Sequence, residues 1–266
     1  MRNFYAKALL FWNIFIREQG FELNIKAKNT IKEVSMACVL FGFHTYELKV
    51  LLLQWNENDC SLPMGRIHRM EPLADAASRV LMETTGIEDI FLQQFYTVST
   101  NQNGKPTIQN SIAGLNVDKA KGQKFLNKLF QETMITIGYY GLIDFEKVVP
   151  NENGLYHWHK ISSIPDLLFD NHDLIELALV ALRKDLRYLP IAKLLPQKFT
   201  LREMQILYET ILNRQFDRRN FHKLLMKYDF LIKLPEKKTG TANKSPHLYQ
   251  IDFEKYEAAL QDGISY

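Results

Sequence analysis

Cysteine is nearly absent from the chain, which has only Cys38 and Cys60 among its 266 residues. The two stand at neither CxxC nor metal-ligand spacing, so a disulfide framework is excluded and a reducing compartment is favoured. Also absent is a run of about 18 apolar residues, the length that a membrane-spanning helix needs. The apolar stretch 8–16 contains Asn13 and is followed by no small-residue cleavage site, which argues against a secretory signal. These absences predict a cytoplasmic protein without a membrane anchor.

An excess of one charge sign is also lacking. The 33 Lys and Arg residues nearly balance the 30 Asp and Glu residues, and a formal net charge of +3 indicates no partner by itself. The charge is unevenly distributed, however. Residues 183–249 hold fifteen basic and six acidic side chains, a local net charge of +9, which leaves −6 for the rest. Length and charge together predict two domains, the second of them basic.

The first half of the chain has the pattern of a sheet domain. Two apolar runs, 34–43 and 48–55, flank a polar stretch and predict a hairpin of two long strands. Further elements are predicted as strands at 91–100 and 133–143, a turn at 101–104 and a helix at 119–130.

Residues 1–33 are predicted to be an extension of this domain. Apolar side chains recur there at helical spacing and predict a short amphipathic helix. Three interpretations stay open: a contact with a second copy or with the domain itself, a misassigned start codon, and a helix at a membrane surface. The first is favoured, since an apolar stripe of this size must cover something. The membrane-surface helix is the least favoured, because few basic residues lie on the polar face of the helix.

The stretch 65–87 resembles the Nudix box of diphosphate hydrolases, a loop–helix–loop written G-x5-E-x7-R-E-U-x-E-E-x-G-U, where U is bulky and aliphatic. Seven signature positions match, namely Gly65, Glu71, Arg79, Leu81, Glu83, Gly86 and Ile87. At the other two, where the enzymes keep glutamates, this chain has Val80 and Thr84. The resemblance implies an α/β/α sandwich with a mixed sheet.

The two replaced positions bear on catalysis. Positions 80, 83 and 84 share one helix face, so three carboxylates there would point at one Mg²⁺ ion. Only Glu83 remains, so efficient metal-dependent hydrolysis is not expected, and we assign no catalytic residue, metal or cofactor. A small polar effector is instead expected where the phosphates of an enzyme substrate would lie, near Arg66, Glu71, Arg79 and Glu83.

The segment 156–173 also resembles these domains, which close with the pattern W…(L/I)P…FDH. Trp158 and the Ile164–Pro165 pair follow the pattern, and Asn171 is inserted before the final histidine. The histidines at 157, 159 and 172 raise the possibility of a metal site. No carboxylate or cysteine joins them at ligand spacing, so helix-capping or surface roles are favoured.

The basic second part has the pattern of a winged helix. Thr200 and Glu203 form a capping box, which predicts a helix running to about Asn213. Asp217 is predicted to cap a second helix over 218–228, whose apolar residues at i, i+3, i+4 and i+7 must face inward. Two short strands, 230–234 and 247–253, then predict a wing around a basic loop. A solvated basic surface on an unrelated helical domain is the alternative.

The run 194–223, LLPQKFTLREMQILYETILNRQFDRRNFHK, is similar to the winged helix of the Nudix-related transcriptional regulators, whose pattern is LLP..FTL..LQ..YE.I....(L/M)D.RNFR. Phe216 and His222 depart from this pattern, at the Leu/Met and at the final Arg. The resemblance implies a Nudix-like domain that has generally lost hydrolysis and senses an effector. That effector is ADP-ribose in some members and a pentose in sugar-catabolic operons in others.

The predicted fold class is therefore α+β, with a Nudix-like α/β/α sandwich followed by a winged helix-turn-helix. The predicted boundaries are 1–33 for the extension, 34–172 for the effector-sensing domain, 173–196 for a linker and 197–266 for the DNA-binding domain. The linker is predicted to consist of a helix over 173–188 and a hinge over 190–196. The predicted function is a homodimeric bacterial transcriptional regulator that binds double-stranded operator DNA and responds to a pentose or an ADP-ribose-like ligand.

Nine residues are predicted to contact DNA, and Arg219 is the best candidate for a bidentate guanine contact. They are Arg218, Arg219, Asn220, His222, Lys223 and Lys227 on the second helix, and Lys237, Lys238 and Lys244 in the wing. Two other functions stay open: an active Nudix pyrophosphohydrolase with an accessory domain, and a winged helix that binds protein instead of DNA.

Overall fold

The computed structural model describes residues 33–54, 60–88, 90–100, 134–148, 156–168, 171–238 and 245–264. The helices predicted within 1–33 and at 119–130, and the turn predicted at 101–104, lie outside these ranges. Every helix inside them is too short or too polar to cross a lipid bilayer.

The first part of the chain forms a mixed sheet. Its strands are β1 (Glu33–His44), β2 (Glu47–Gln54), β3 (Cys60–Ser61), β4 (Met64–Arg66), β5 (Phe91–Thr100), β6 (Met134–Leu142) and β7 (Tyr156–Lys160). The order is β3-β2-β1-β6-β5, with β4 paired to β1 and β7 paired to β2. β1 and β6 run parallel, whereas the other pairs are antiparallel. The predicted mixed sheet and the predicted hairpin of β1 and β2 are therefore confirmed.

Both faces of β1 are buried. Met36, Cys38 and Leu40 belong to the core on one side of the sheet. The intervening residues 37, 39 and 41 belong to the core on the other side. Side chains of a strand alternate between the two faces, so a strand covered on both sides must be apolar throughout. This explains the unbroken run VSMACVLFGF in the sequence.

Among the described residues, one helix covers each face of the sheet. Helix α1 (Leu73–Thr85) contributes Ala76, Ala77 and Leu81 to the first core and ends at Gly86, which has a φ of 72°. Helix α2 (Asn171–Asp185) contributes Leu174, Ala178 and Leu182 to the second. The arrangement confirms the predicted α/β/α sandwich. Helix α2 begins two residues earlier than predicted, and its predicted end is a 3-10 turn, Leu186–Tyr188.

The second part has the elements of a winged helix. They are α3 (Leu201–Leu212), α4 (Arg218–Lys227), β8 (Leu231–Lys237), β9 (His247–Ile251) and a final helix α5 (Phe253–Asp262). β8 and β9 form an antiparallel hairpin, as predicted for the wing. β9 ends two residues before the predicted 253, because the Asp252 side chain accepts a hydrogen bond from the Lys255 amide and begins α5. Helix α5 was not predicted from the sequence.

The segment predicted as a hinge, 190–196, has its apolar residues 191, 192, 194 and 195 buried, whereas Lys193 is exposed. Ile191 and Leu194 are fully enclosed in a core that runs without a break from the sheet, through α2, to α3 and α4. The Tyr256 hydroxyl of α5 accepts a hydrogen bond from the Ala192 amide at 3.3 Å and lies 3.4 Å from the Leu189 carbonyl, to which it donates. In this conformation the segment joins the two parts through packed apolar side chains.

Candidate functional site

The Nudix-box residues predicted to bind an effector lie together. The Arg79 guanidinium makes a two-pronged contact with Glu71, donating from Nε to Oε1 at 2.6 Å and from Nη2 to Oε2 at 2.8 Å. Nη2 also donates to the backbone carbonyl of Arg66 at 2.7 Å, and Nη1 donates to Glu83 at 3.0 Å. Arg79 on α1 thus ties the end of β4 and the following loop to the helix. Arg79 contacts each of the other three residues, so the cluster has a clear structural role.

The ion pair shifts the acidity of both partners. The hydrogen bonds from Arg79 lower the pKa of Glu71 from 4.5 to about 2, and the bond from the His68 amide acts in the same direction. The hydrogen bond to Glu71 raises the pKa of Arg79 above its ordinary value. Both groups therefore stay charged at neutral pH.

Acid should weaken this part of the fold. As the pH falls from 4.5 toward about 2, the unfolded chain binds a proton at Glu71 that the folded chain does not, so stability is lost in that window. We expect Glu71→Gln to lose less free energy of unfolding than the wild type between neutral pH and about pH 3. Urea denaturation at each pH measures this difference. Glu257→Gln, at an exposed position on α5, is the matched control.

The two replaced box positions make their contacts within the protein itself. Val80 is 1% exposed, and a Cβ atom on Gly65 would lie only 2.6 Å from its Cγ2 atom. The Thr84 hydroxyl donates to the Val80 carbonyl at 2.6 Å, within the helix. Val80 therefore packs on the glycine that opens the box, and Thr84 bonds to its own helix. Across the described ranges, no group of three or more His, Cys, Asp or Glu side chains is placed to hold a metal ion.

The closing pattern of the sheet domain is structural. The Trp158 ring covers Gly42, where a Cβ atom would approach the ring to 2.7 Å. Asn171 is 1% exposed, and its Oδ1 atom accepts a hydrogen bond from the Leu62 amide at 2.7 Å. The inserted asparagine thus ties the start of α2 to the chain just before the box. His172 is exposed, with Nε2 at 3.1 Å from the Pro165 carbonyl, which fits the surface role that was one of the two favoured from the sequence.

The helix-turn-helix has the predicted caps. The Thr200 hydroxyl accepts from the Glu203 amide at 3.2 Å, and the Glu203 carboxylate accepts from the Thr200 amide at 2.7 Å, which completes the capping box. The Asp217 side chain accepts from the Asn220 amide at 2.9 Å and caps α4. Both caps are confirmed, and they set where the two helices begin.

Helix α4 has one buried and one exposed face. Phe221 and Leu225 are buried, while Leu224 and Tyr228 are half-buried. The polar residues predicted to contact DNA lie on the other face. Arg218, Arg219, Asn220, Lys223 and Lys227 are exposed, and His222 is half-buried. Burial lowers the pKa of His222, and the nearby charges of Arg218 and Arg202 lower it further. The exposed face is strongly basic.

The lysines predicted in the wing differ in their exposure and in their contacts. Lys237 is exposed at the end of β8, and Lys244 lies outside the described residues. Lys238 donates to the Glu203 carboxylate at 2.6 Å, which joins the wing to the capping box of α3. This contact raises the pKa of Lys238. Burial raises the pKa of Glu203, but the hydrogen bonds from Lys238 and Thr200 outweigh it, so that the pKa of Glu203 is lowered. Lys238 thus has a structural partner that the sequence did not suggest.

A cleft of about 780 Å³ lies where the two parts of the chain meet. It is bounded by the end of α1, the end of β6, the segment 192–199 and the start of α5. Its walls are about equally polar and apolar, and their charged side chains are Glu88, Asp144, Lys147 and Lys193. Metabolites occupy clefts of this size, often between domains. Sequence reasoning missed it, because its walls come from segments that are distant along the chain.

Comparison with known proteins agrees with this architecture. Residues 191–251 match the family model of the NrtR DNA-binding winged helix domain. The chain is 26% identical over 231 residues to the ADPR responsive transcriptional repressor NtrR of Acinetobacter baylyi, covering 82% of this chain and 81% of that protein.

Two solved structures share the fold. Shewanella oneidensis NrtR complexed with a 27mer DNA has a TM-score of 0.64 at 24% identity and covers 84% of this chain and 94% of its own. A MutT/nudix family protein from Enterococcus faecalis has a TM-score of 0.56 at 18% identity and covers 90% and 93%. The chain therefore joins a Nudix-like sandwich to a winged helix. More particularly, it has the domain composition of a Nudix-related regulator with a winged helix of the NrtR type.

Proposed function

We propose that the protein is a ligand-responsive transcriptional regulator that binds double-stranded operator DNA through α3, α4 and the wing. The observation that carries this proposal is the exposed basic face of α4 on a capped helix-turn-helix that matches a DNA-binding family. A recognition helix placed this way fits the major groove, and the wing lies beside the phosphates. Such a regulator acts where the DNA is, in the bacterial cytoplasm.

The exposed residues divide by role. Arg218, Arg219 and Lys223 are proposed to face base edges, with Arg219 as the bidentate guanine contact. Asn220 and Lys227 are proposed to hold phosphates, as is Lys237 in the wing. Since Lys238 already pairs with Glu203, its proposed contribution to DNA binding is indirect, through the placement of the wing. We propose a homodimer, because a two-fold protein reads two half-sites about one helical turn apart or a multiple of it.

The proposed effector is an ADP-ribose-like metabolite. This choice is supported by the Acinetobacter baylyi relative, which is named as responsive to ADPR. A pentose is the second candidate, and it is compatible with the uncharged Val80 and Thr84 at the former metal positions. The Nudix-box cluster around Arg79 is the proposed site. Binding shifts the equilibrium between domain arrangements only as far as the ligand prefers one of them.

Hydrolysis is not part of the proposal. A hydrolase of this type needs metal charge opposite the phosphates. Of the three positions that would supply carboxylates on α1, only Glu83 has one, and that carboxylate accepts from Arg79. An active pyrophosphohydrolase with an accessory domain is the competing function.

One experiment tests both functions. The full-length protein is mixed with a duplex that it has itself selected from a random library, and then with ADP-ribose and Mg²⁺, with a pentose in parallel. We expect a duplex shift that weakens with salt and changes on addition of ADP-ribose, while the ADP-ribose is not consumed. Turnover on the order of 1 per second or faster, together with no preference for any duplex, would overturn the proposal.

Two variants locate the effector site in the same assay. Glu83→Gln alters the Nudix-box cluster, and Lys193→Ala alters the wall of the cleft between the two parts. We expect Glu83→Gln to change the ADP-ribose concentration that shifts the duplex, and Lys193→Ala to leave it unchanged. The opposite pattern would place the effector in the cleft.

A further inference from the structure

The turn between α3 and α4 is held by side chains of α3. Asn213 ends α3 in the left-handed region with a φ of 50°, and the Arg214 amide donates to the Glu209 carbonyl at 3.2 Å. Phe216, at the far end of the turn, packs its ring on Phe221 of α4 with centroids 5.2 Å apart. The position of Phe216 therefore influences where α4 lies against α3.

Two polar residues of α3 hold the backbone of Phe216. The Gln205 Nε2 atom donates to the Phe216 carbonyl at 3.0 Å and to the Glu209 carboxylate at 2.9 Å. The same carboxylate oxygen, Oε1, accepts from the Phe216 amide at 3.0 Å. Both backbone polar groups of Phe216 thus bond to side chains one turn apart on α3. We call Gln205, Glu209 and the Phe216 backbone the turn clip.

The turn clip uses polar groups where apolar ones would pack well. Gln205 is 1% exposed, and its Oε1 atom is buried without a hydrogen-bond partner among the described residues. A buried acceptor left unpaired is unfavourable, whereas an apolar side chain of the same size avoids that loss. Some buried polar groups fix one arrangement of a fold over others, even where they add little stability. The geometry of the clip fits that role.

We propose that Gln205 and Glu209 are positioning residues for sequence reading by α4. They hold the turn so that the exposed face with Arg218, Arg219 and Lys223 meets the base edges at a fixed angle. Gln205 is buried and Glu209 is half-buried on α3, so neither belongs to the exposed basic face of α4. Without the clip, α4 still forms, because its own cap at Asp217 and its buried Phe221 are intact, but its orientation is less restricted. This inference rests on the proposed DNA-binding function.

The test compares two duplexes and two substitutions in the full-length protein. The duplexes are one selected from a random library by the wild type and a scrambled version of it. Gln205→Leu keeps the volume but removes both donated bonds. We expect it to lower affinity for the selected duplex by about tenfold or more, comparable to a mismatched base pair. Affinity for the scrambled duplex depends on charge and should stay within about twofold of the wild-type value. The salt dependence of that affinity should also stay close to the wild-type one.

A matched pair of substitutions at Glu209 separates positioning from folding. Glu209→Gln keeps an acceptor oxygen for the Phe216 amide and should retain most of the preference for the selected duplex. Glu209→Ala removes that oxygen and should behave like Gln205→Leu. The thermal midpoint and circular dichroism of each variant are measured alongside.

Each outcome decides between distinct conclusions. If the wild type prefers no duplex, the proposed function fails. If the wild type shows a preference and both Gln205→Leu and Glu209→Ala keep it, the clip does not position α4. The same conclusion follows if affinity for both duplexes falls together with the thermal midpoint, because the residues are then needed only for folding. Loss of preference at an unchanged thermal midpoint supports the inference.

Discussion

Replacing Phe221 by alanine is expected to lower the free energy of unfolding by about 3–5 kcal/mol. The side chain is 2% exposed and packs edge-on against Tyr208 of α3, with ring centroids 5.3 Å apart. It also contacts the ring of Phe216 in the turn. Its removal leaves a cavity at the point where α3, the turn and α4 meet. Chemical denaturation followed by circular dichroism measures the change.

A substitution on the opposite face of α4 provides the control. Met226 is 45% exposed, and Met226→Ala should change stability by no more than about 0.5 kcal/mol. Equal losses in the two variants would mean that Phe221 does not occupy the core between the helices. Since that core continues into the sheet domain, we expect Phe221→Ala to shift a single unfolding transition.

Arg219→Ala is expected to weaken binding to the selected duplex by roughly 1–3 kcal/mol, or about 5- to 150-fold. Arg219 lies exposed in the first turn of α4, where recognition helices contact base edges. A guanidinium that donates to two acceptors of one guanine recognises a single base pair. The loss of affinity should therefore depend on the base at one position of the duplex. Titration against a set of single-base variants of the duplex measures this.

Lys237→Ala is the contrasting control for Arg219. It removes an exposed charge from the wing and should weaken binding to selected and scrambled duplexes about equally. If Arg219→Ala also weakens all duplexes equally, Arg219 contacts a phosphate and another residue reads the base. If neither substitution changes binding, α4 is not the recognition helix.

The parts of the fold that the sequence predicted well depend on neighbours along the chain. The capping box joins Thr200 to Glu203, three residues away, and the Asp217 cap acts over the same distance. Spacing alone is enough to recognise such bonds. The long apolar strand β1 was equally clear, because burial on both faces requires apolar residues at every position.

The parts that the sequence did not predict depend on residues that are distant along the chain. Lys238 was predicted to contact DNA, but the sequence did not indicate its bond to Glu203, which spans 35 residues. Asn171 looked like an insertion in a motif, whereas its bond to Leu62 spans 109 residues. No spacing rule indicates such pairs. The Arg79 cluster is an intermediate case, since its members were identified as a group but the bonds among them were not.

The unbroken core between the sheet and the helices α3 and α4 limits how this protein can be dissected. A fragment starting near residue 191 would leave Ile191, Leu194 and Leu207 with only part of their apolar surroundings. Such a fragment would expose an apolar surface and would be prone to aggregation. Because the two parts share this core, we expect a metabolite that stabilises the sandwich to raise the melting temperature of the winged helix as well. A thermal-shift screen on the intact chain would therefore detect ligands even while the operator sequence is unknown.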